Sequence, residues 1–232
     1  MPDRHRGGRG IGAEVSRKAA KQRYSVCVNF HRDQTSAHKL VRELEKEGTN
    51  ALAYQADVSQ EEEVETLSQT LEKDLGTPKA LVNNAGILDL QTRVDGMNAK
   101  RIQRIFAVNV TGSFLYAREA VKRMSKKYGG KGGSIVNLSS GAAKYGSPGE
   151  YVDYAASKAA IDTLTIGLAR KSAEEGIRDN AVRPGFIDNE IHQSGGEPDR
   201  LEQVRPLVPM KRVGQADEVA DAIMWLLSDK AS

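Results

Sequence analysis

The chain has 232 residues, a length that α/β folds reach within one domain around one core, and a single domain spanning 1–232 is expected. Hydrophobic residues make up 39% and charged residues 28%, which is ordinary for a soluble globular protein and too apolar for a disordered one. The formal net charge of +3 is small, and one short basic run, Lys126, Lys127 and Lys131, reads as a solvated loop, which argues against a nucleic-acid partner.

Cys27 is the sole cysteine, so one chain can build neither an intramolecular disulfide nor a Cys-based metal cluster. His5, His31, His38 and His192 show no ligand spacing, and no metal is expected. No stretch approaches the ~18 consecutive apolar residues of a membrane span, and a cytoplasmic location is expected.

From the N-terminus, Gly7, Gly8, Gly10 and Gly12 precede a stretch of helical period. Glycines there let backbone amides approach a phosphate at a helix N-terminus, although a flexible turn would look the same. A strand should come before such a loop, and Pro2, Asp3, Arg4, His5 and Arg6 do not make one. Short β-branched runs follow at Ser25 to Phe30, Ala51 to Gln55, Ala80 to Asn83, Ser134 to Leu138 and Ile177 to Val182, which predicts five strands. Between them, apolar stripes at Leu40, Val41 and Leu44, at Val64, Leu67 and Leu71, at Ile102, Ile105 and Phe106, and at Leu164 and Leu168 read as the core faces of helices. A last helix carries Val219, Ile223 and Leu226, after an irregular region from Pro184 to Gly214 that reads as a binding loop or lid. Strands alternating with helices predict a parallel sheet covered on both faces.

Three further segments can carry chemistry. Asn83, Asn84, Ala85 and Gly86 directly follow a strand, at the sheet edge where α/β ligands bind, or form a tight turn. Ser139 and Ser140 follow the strand ending at Leu138, where a hydroxyl can donate to and accept from a substrate oxygen, or simply shape a turn. Tyr154 and Lys158 are four apart at the start of a predicted helix and share one face. A phenol titrates near ~10, and a cation at about 4 Å, worth at most roughly 4 kcal/mol at an effective dielectric of 20, can bring it toward neutrality, where it serves as acid and base.

Taken in order, Gly7-Gly-Arg-Gly-Ile-Gly12, Asp57-Val58, Asn83-Asn-Ala-Gly86, Asn109, Ser140, Tyr154-Ala-Ala-Ser-Lys158 and Pro184-Gly185 resemble the short-chain dehydrogenase/reductase family. The match runs from about Gly7 to Leu227, and the ordered set is far more specific than any one motif. The resemblance implies a Rossmann-type, doubly wound, three-layer α/β/α fold. It implies that Tyr154 exchanges a proton with a carbonyl or secondary alcohol while hydride moves to or from a nicotinamide. Lys158 would lower the Tyr154 pKa and bind the nicotinamide ribose, Ser140 would hold the carbonyl oxygen, and Asn109 would anchor a water relay. Gly7, Gly8, Arg9, Gly10, Ile11 and Gly12 would form the cofactor loop, with Gly10 and Gly12 facing the pyrophosphate. Asp57 and Val58 would meet the adenine, and Asn84, Ala85 and Gly86 the adjoining ribose. Pro184, Gly185, Ile187 and Asn189 would line the nicotinamide end. Asn29 and Phe30, at the end of the second strand of that fold, are not acidic, whereas Arg9 and Arg32 can pair with a 2′-phosphate, so NADP(H) is expected over NAD(H).

Within the family the pattern is similar to 3-oxoacyl thioester reductases and to glucose 1-dehydrogenases, with Leu88, Ala142, Tyr151, Phe186 and Ile191 as pocket candidates. The alternative from another class is a catalytically silent nicotinamide-binding protein or an inactive fragment.

The chain departs from the family pattern in four places. The apolar first strand ending in Thr-Gly is missing before Gly7, yet suitable codons for Met1 to Gly7, read one base later, spell Cys-Leu-Ile-Val-Thr-Gly. The coding DNA tests that reading. Family members usually continue past Ser232 with a last strand, and a homodimer or homotetramer is expected where that end is complete. Asp179 occupies an apolar strand position and is expected to be buried and unpaired, at a cost of several kcal/mol. Asn189 stands where the family often has threonine.

Overall fold

The computed structural model describes residues 8, 10–189, 191 and 195–232. Gly7 and Arg9 of the predicted cofactor loop, with His5 and His192, lie outside the described residues. The elements run α1 (Gly10–Lys21), β1 (Val26–Phe30), α2 (Gln34–Lys46), β2 (Ala51–Gln55), α3 (Glu61–Leu75), β3 (Ala80–Asn83) and α4 (Ala99–Phe106). They continue with α5 (Gly112–Met124), β4 (Gly133–Leu138), α6 (Ala142–Tyr145), α7 (Val152–Ser172), β5 (Ile177–Val182), β6 (Ile187–Asp188), α8 (Arg200–Val204), β7 (Gly214–Gln215) and α9 (Ala216–Leu227). The five predicted strands are present, with boundaries shifted by one residue at the starts of β1 and β4.

All ladders are parallel, and the architecture is a three-layer α/β/α fold of Rossmann type. On one face Ile11 and Val15 of α1 pack with Val219 and Ile223 of α9 over Val136 and Leu138. On the other, Ala120 and Met124 of α5 pack over Ile135 and Ile177. β1 is covered by α2, through Leu40 and Leu44 against Val26, Val28 and Phe30. Alternate residues of β4 thus feed two separate cores, which is why the strand is buried along almost its whole length.

The ladders do not join into one sheet. β1 pairs with β2, and β3, β4 and β5 pair with one another. Among the described residues no strand precedes α1, and a cavity of about 750 Å³ lies between β1 and β3, lined by residues of both. The short pair β6 and β7 ties Ile187 to Gly214 and so closes the irregular region back onto the core.

Two helix stripes differ from expectation. Ile102 is 39% exposed rather than core, because α4 turns only Ile105 fully inward. Leu164 and Leu168 are half-buried, and α7 instead buries Ile161 and Thr165, the latter because its hydroxyl has a polar core partner in Asn137 at 3.0 Å. No helix among the described residues is long and apolar enough to cross a membrane, and none of their His, Cys, Asp and Glu side chains form a group able to hold a metal ion.

Candidate functional site

Helices α4 and α5 are one continuous rod interrupted by a π-turn at Ala107–Thr111. The extra residue in that turn rotates Asn109 inward, where it is 0% exposed. Its Oδ1 accepts from Ile87 N at 2.8 Å, and its Nδ2 donates to Ile87 O and to Ser157 Oγ, both at 2.9 Å. Ser157 Oγ in turn donates to Tyr154 O at 2.7 Å. Asn109 therefore clamps the segment after β3 to the first turns of α7.

Those first two turns of α7 carry Tyr154 and Lys158. Lys158 is 4% exposed, and its Nζ donates to Leu138 O, at the end of β4, at 2.6 Å and lies 5.7 Å from the centre of the Tyr154 ring. A buried ammonium is held in place only by such partners. Gly86 makes room for it, since a Cβ at Gly86 would stand 3.3 Å from Lys158 Nζ and 3.7 Å from Asn109 Oδ1. Tyr154 is half-buried, and its backbone N–H donates to Asp153 Oδ1 at 2.9 Å. Asp153 is itself buried against Arg101, whose Nε lies 2.6 Å from its Oδ2. Neither Arg101 nor Asp153 stands out in the sequence, because an ion pair 52 residues apart leaves no local pattern.

The two serines after β4 separate clearly. Ser139 is buried and spends its hydroxyl on Lys158 O at 3.0 Å, whereas Ser140 is half-buried with its Oγ accepting from Ala142 N at 3.1 Å. Asn83 and Asn84 divide in the same way. Asn83 turns into the core, donating to Asn137 Oδ1 at 2.8 Å, while Asn84, Ala85 and Gly86 continue along the strand edge toward Lys158.

Around this centre, Gly10 adopts φ +53 at the start of α1, a left-handed conformation that suits glycine, and a Cβ there would lie 3.7 Å from Asn189 Cβ. Asn189 Oδ1 accepts from Ile191 N at 2.9 Å. Gly8 backs onto the start of α2 at Ala37, and Ile11 and Gly12 are buried in the first turn of α1. Asp57 Oδ1 accepts from Ser59 N and Oγ at 2.9 and 2.7 Å, and Val58 is buried against Gly112. Asn29 donates its amide to Tyr54 O and Ala56 O at 3.2 and 3.1 Å, so it buttresses the end of β2, while Arg32 is exposed just beyond. Pro184 O accepts from Gly141 N at 2.9 Å, Gly185 is exposed and Ile187 is buried.

Arg200 closes one side. Its guanidinium pairs with Glu150 at 3.0 and 2.6 Å and stands 5.4 Å from the Tyr151 ring centre and 5.8 Å from that of Phe186. Of the pocket candidates, Leu88 and Tyr151 are buried, and burial pushes the Tyr151 phenol above its usual range. Ala142 and Ile191 are half-buried, and Phe186 is exposed.

The family profile described as enoyl-(acyl carrier protein) reductase matches residues 7–232. An uncharacterized oxidoreductase of Escherichia coli, YgfF, is 52% identical over 97% of this chain and 92% of its own length. The chain belongs to the short-chain dehydrogenase/reductase family. It is an oxidoreductase of that family, whose members act on CH–OH or carbonyl groups. Glucose 1-dehydrogenase 2 of Bacillus subtilis is 34% identical over 97% of this chain and 86% of its own. A solved short-chain dehydrogenase of Burkholderia cenocepacia, in complex with NADP, superposes with a TM-score of 0.87 at 28% identity, covering 97% of this chain and 88% of its own.

Proposed function

We propose that the protein transfers hydride between NADP(H) and a carbonyl or secondary alcohol, with Tyr154 as general acid and base. The observation that carries this reading is the buried Lys158 ammonium, held by Leu138 O at 2.6 Å and 5.7 Å from the Tyr154 ring. A cation fixed beside a phenol favours the phenolate and makes the hydroxyl a usable proton donor near neutrality.

The residues suit a nicotinamide dinucleotide. The space beside Gly86 and Lys158 is one that a Cβ would fill, and Gly10 leaves α1 open next to Asn189. Gly8, Gly10, Ile11 and Gly12 would hold the pyrophosphate at the positive end of α1, with Asp57 and Val58 near the adenine. Asn84, Ala85, Gly86 and Lys158 would hold the riboses, and Pro184, Gly185, Ile187 and Asn189 the nicotinamide end. When bound, the nicotinamide supplies or takes the hydride. In reduction Tyr154 gives its hydroxyl proton to the carbonyl oxygen, and Ser140 Oγ donates a hydrogen bond to the same oxygen. Asn109 keeps the Tyr154 turn in register through Ser157. The exposed Arg32 beyond β1, where no acidic side chain ends the strand, favours a 2′-phosphate, hence NADP(H). Ile102, Phe114 and Ile166 expose apolar surface on α4, α5 and α7 that suits self-association as a homodimer or homotetramer, checked by light scattering.

A second reading, a nicotinamide-binding protein without turnover, draws on the gap between β1 and β3 beside α1. Fluorescence titration with NADPH, followed by a carbonyl panel at its absorbance band, separates the two. Binding with turnover supports the first, binding without turnover the second, and better efficiency with NADH overturns the cofactor assignment.

A further inference from the structure

We infer, resting on the hydride-transfer reading, that Arg101 is a positioning residue that sets substrate selectivity: its guanidinium holds the Leu90 segment and the Tyr154 turn at a fixed separation, and so limits the size of the group a carbonyl substrate carries past Leu90. Arg101 stands in the first turn of α4 and divides its fork between two elements far apart in sequence. Nε donates to Asp153 Oδ2 at 2.6 Å and Nη2 to Asp153 Oδ1 at 3.4 Å, while Nη1 donates to Leu90 O at 2.6 Å. Asp153 passes the restraint on, because its Oδ1 also accepts from the N–H of Tyr154 at 2.9 Å. The two side chains are 11% and 2% exposed, so solvent screens the pair little and each charge depends on the other to stay where it is. A lysine could not span both elements, since an ammonium lacks the planar fork that reaches a carboxylate on one side and a carbonyl on the other.

Leu90 is where the segment after β3 meets the irregular region. A Cβ on Gly196, whose φ is +85, would stand 2.7 Å from Leu90 Cδ2, so the leucine side chain lies directly against that backbone. Contacts on either side bring the same parts together: Thr92 N donates to Glu150 O at 3.0 Å, Glu150 pairs with Arg200, and Tyr151 Oη donates to Gly195 O at 3.3 Å. Leu90 is nonetheless 47% exposed, an apolar side chain left partly open beside the Tyr154 turn. A second pair from the same face of α4, Arg104 Nη1 to Asp89 Oδ2 at 3.5 Å, restrains the preceding residue through its side chain. Arg101 alone of the two holds a main-chain carbonyl. Charge-assisted bonds of this kind are short and directional, so the backbone that carries the Leu90 side chain is fixed relative to Asp153 and the first turn of α7.

The test compares kcat/KM of the full chain with NADPH for butan-2-one and 4-phenylbutan-2-one, which share the reacting group and differ in what lies beyond it. Leu90→Ala removes the side chain and should shift the ratio of the two about tenfold toward the larger ketone. Arg101→Lys keeps a cation for Asp153 and releases Leu90 O, and should shift the ratio the same way, mostly through the KM of the larger ketone. In the double variant the Arg101→Lys shift should shrink to within about twofold, because a side chain that is absent cannot be released. Additive shifts, or no shift in either single variant, overturn the inference and leave Arg101 a part of the fold alone. Asp153→Asn keeps an oxygen that accepts from Tyr154 N and Asp153→Ala does not, so kcat for both ketones should fall in the second and recover in the first. Equal losses in the two would remove the link to Tyr154. Exchange of the Thr92 amide, followed without cofactor, should quicken in Arg101→Lys and in Asp153→Asn and stay at the parent rate in Leu90→Ala. A parent that reduces neither ketone counts against the hydride-transfer reading, whereas unchanged Thr92 exchange in both charge variants overturns the strap itself, so the two failures are told apart.

Discussion

Asn109 and Ser157 are joined by a 2.9 Å hydrogen bond, and this contact links the π-turn of the long α4 and α5 rod to the backbone of Tyr154. Ser157 is 0% exposed, so removing its hydroxyl leaves one N–H of Asn109 buried and unpaired. Ser157→Ala should therefore cost about 1–3 kcal/mol of stability, read by urea unfolding. Its kcat should fall while KM for the carbonyl holds, because what is lost is the placement of Tyr154. Equal unfolding curves for variant and parent would remove the clamp from the account.

Tyr154→Phe keeps the ring beside Lys158 and deletes the proton. Turnover should drop by about 10²–10⁴-fold, the usual contribution of a placed general acid, while NADPH affinity stays within a few-fold. A variant that turns over normally would assign the proton to another group.

Asp179 gives a pH signature. It is 6% exposed on β5, its Oδ1 accepts from Asn137 Nδ2 at 2.8 Å, and its Oδ2 has no partner among the described residues. The carboxylate is thus half-satisfied rather than wholly unpaired, and burial raises it from 3.8 to about 7. The folded state holds this proton more tightly than the unfolded chain. The group's favourable share of stability is full below about pH 4 and is lost as pH rises through about 7, a difference of about 4 kcal/mol at most. Asp179→Val should melt higher than the parent at pH 8, with the gap narrowing toward pH 5. A pH-independent difference would show that Asp179 does not titrate in this range.

Arg200 holds α8 against the site through Glu150 and the rings of Tyr151 and Phe186. Arg200→Ala should raise KM for the carbonyl about five- to thirtyfold, equivalent to about 1–2 kcal/mol, with kcat changed much less. A kcat loss with constant KM would place Arg200 in the chemistry instead of in the wall.

Much of this was legible along the chain because it is periodic or ordered. Strands β1 to β5 follow from β-branched runs, the buried faces of α2 and α9 from their apolar stripes, and Tyr154 and Lys158 from a four-residue spacing that any helix converts into adjacency. Tertiary structure decided what depends on partners far away in sequence. Which of Ser139 and Ser140 opens to the site, which of Asn83 and Asn84 turns inward, and that Asn109 clamps Ser157 are set by packing against other elements. Arg101 and Asp153 pair across 52 residues, and of the α4 stripe only Ile105 is fully buried while Ile102 is exposed. The missing apolar run before Gly7 showed in the sequence as an absence. Only the tertiary structure decided that β1 and β3 line one cavity without pairing, since each bonds to a neighbour on its other side.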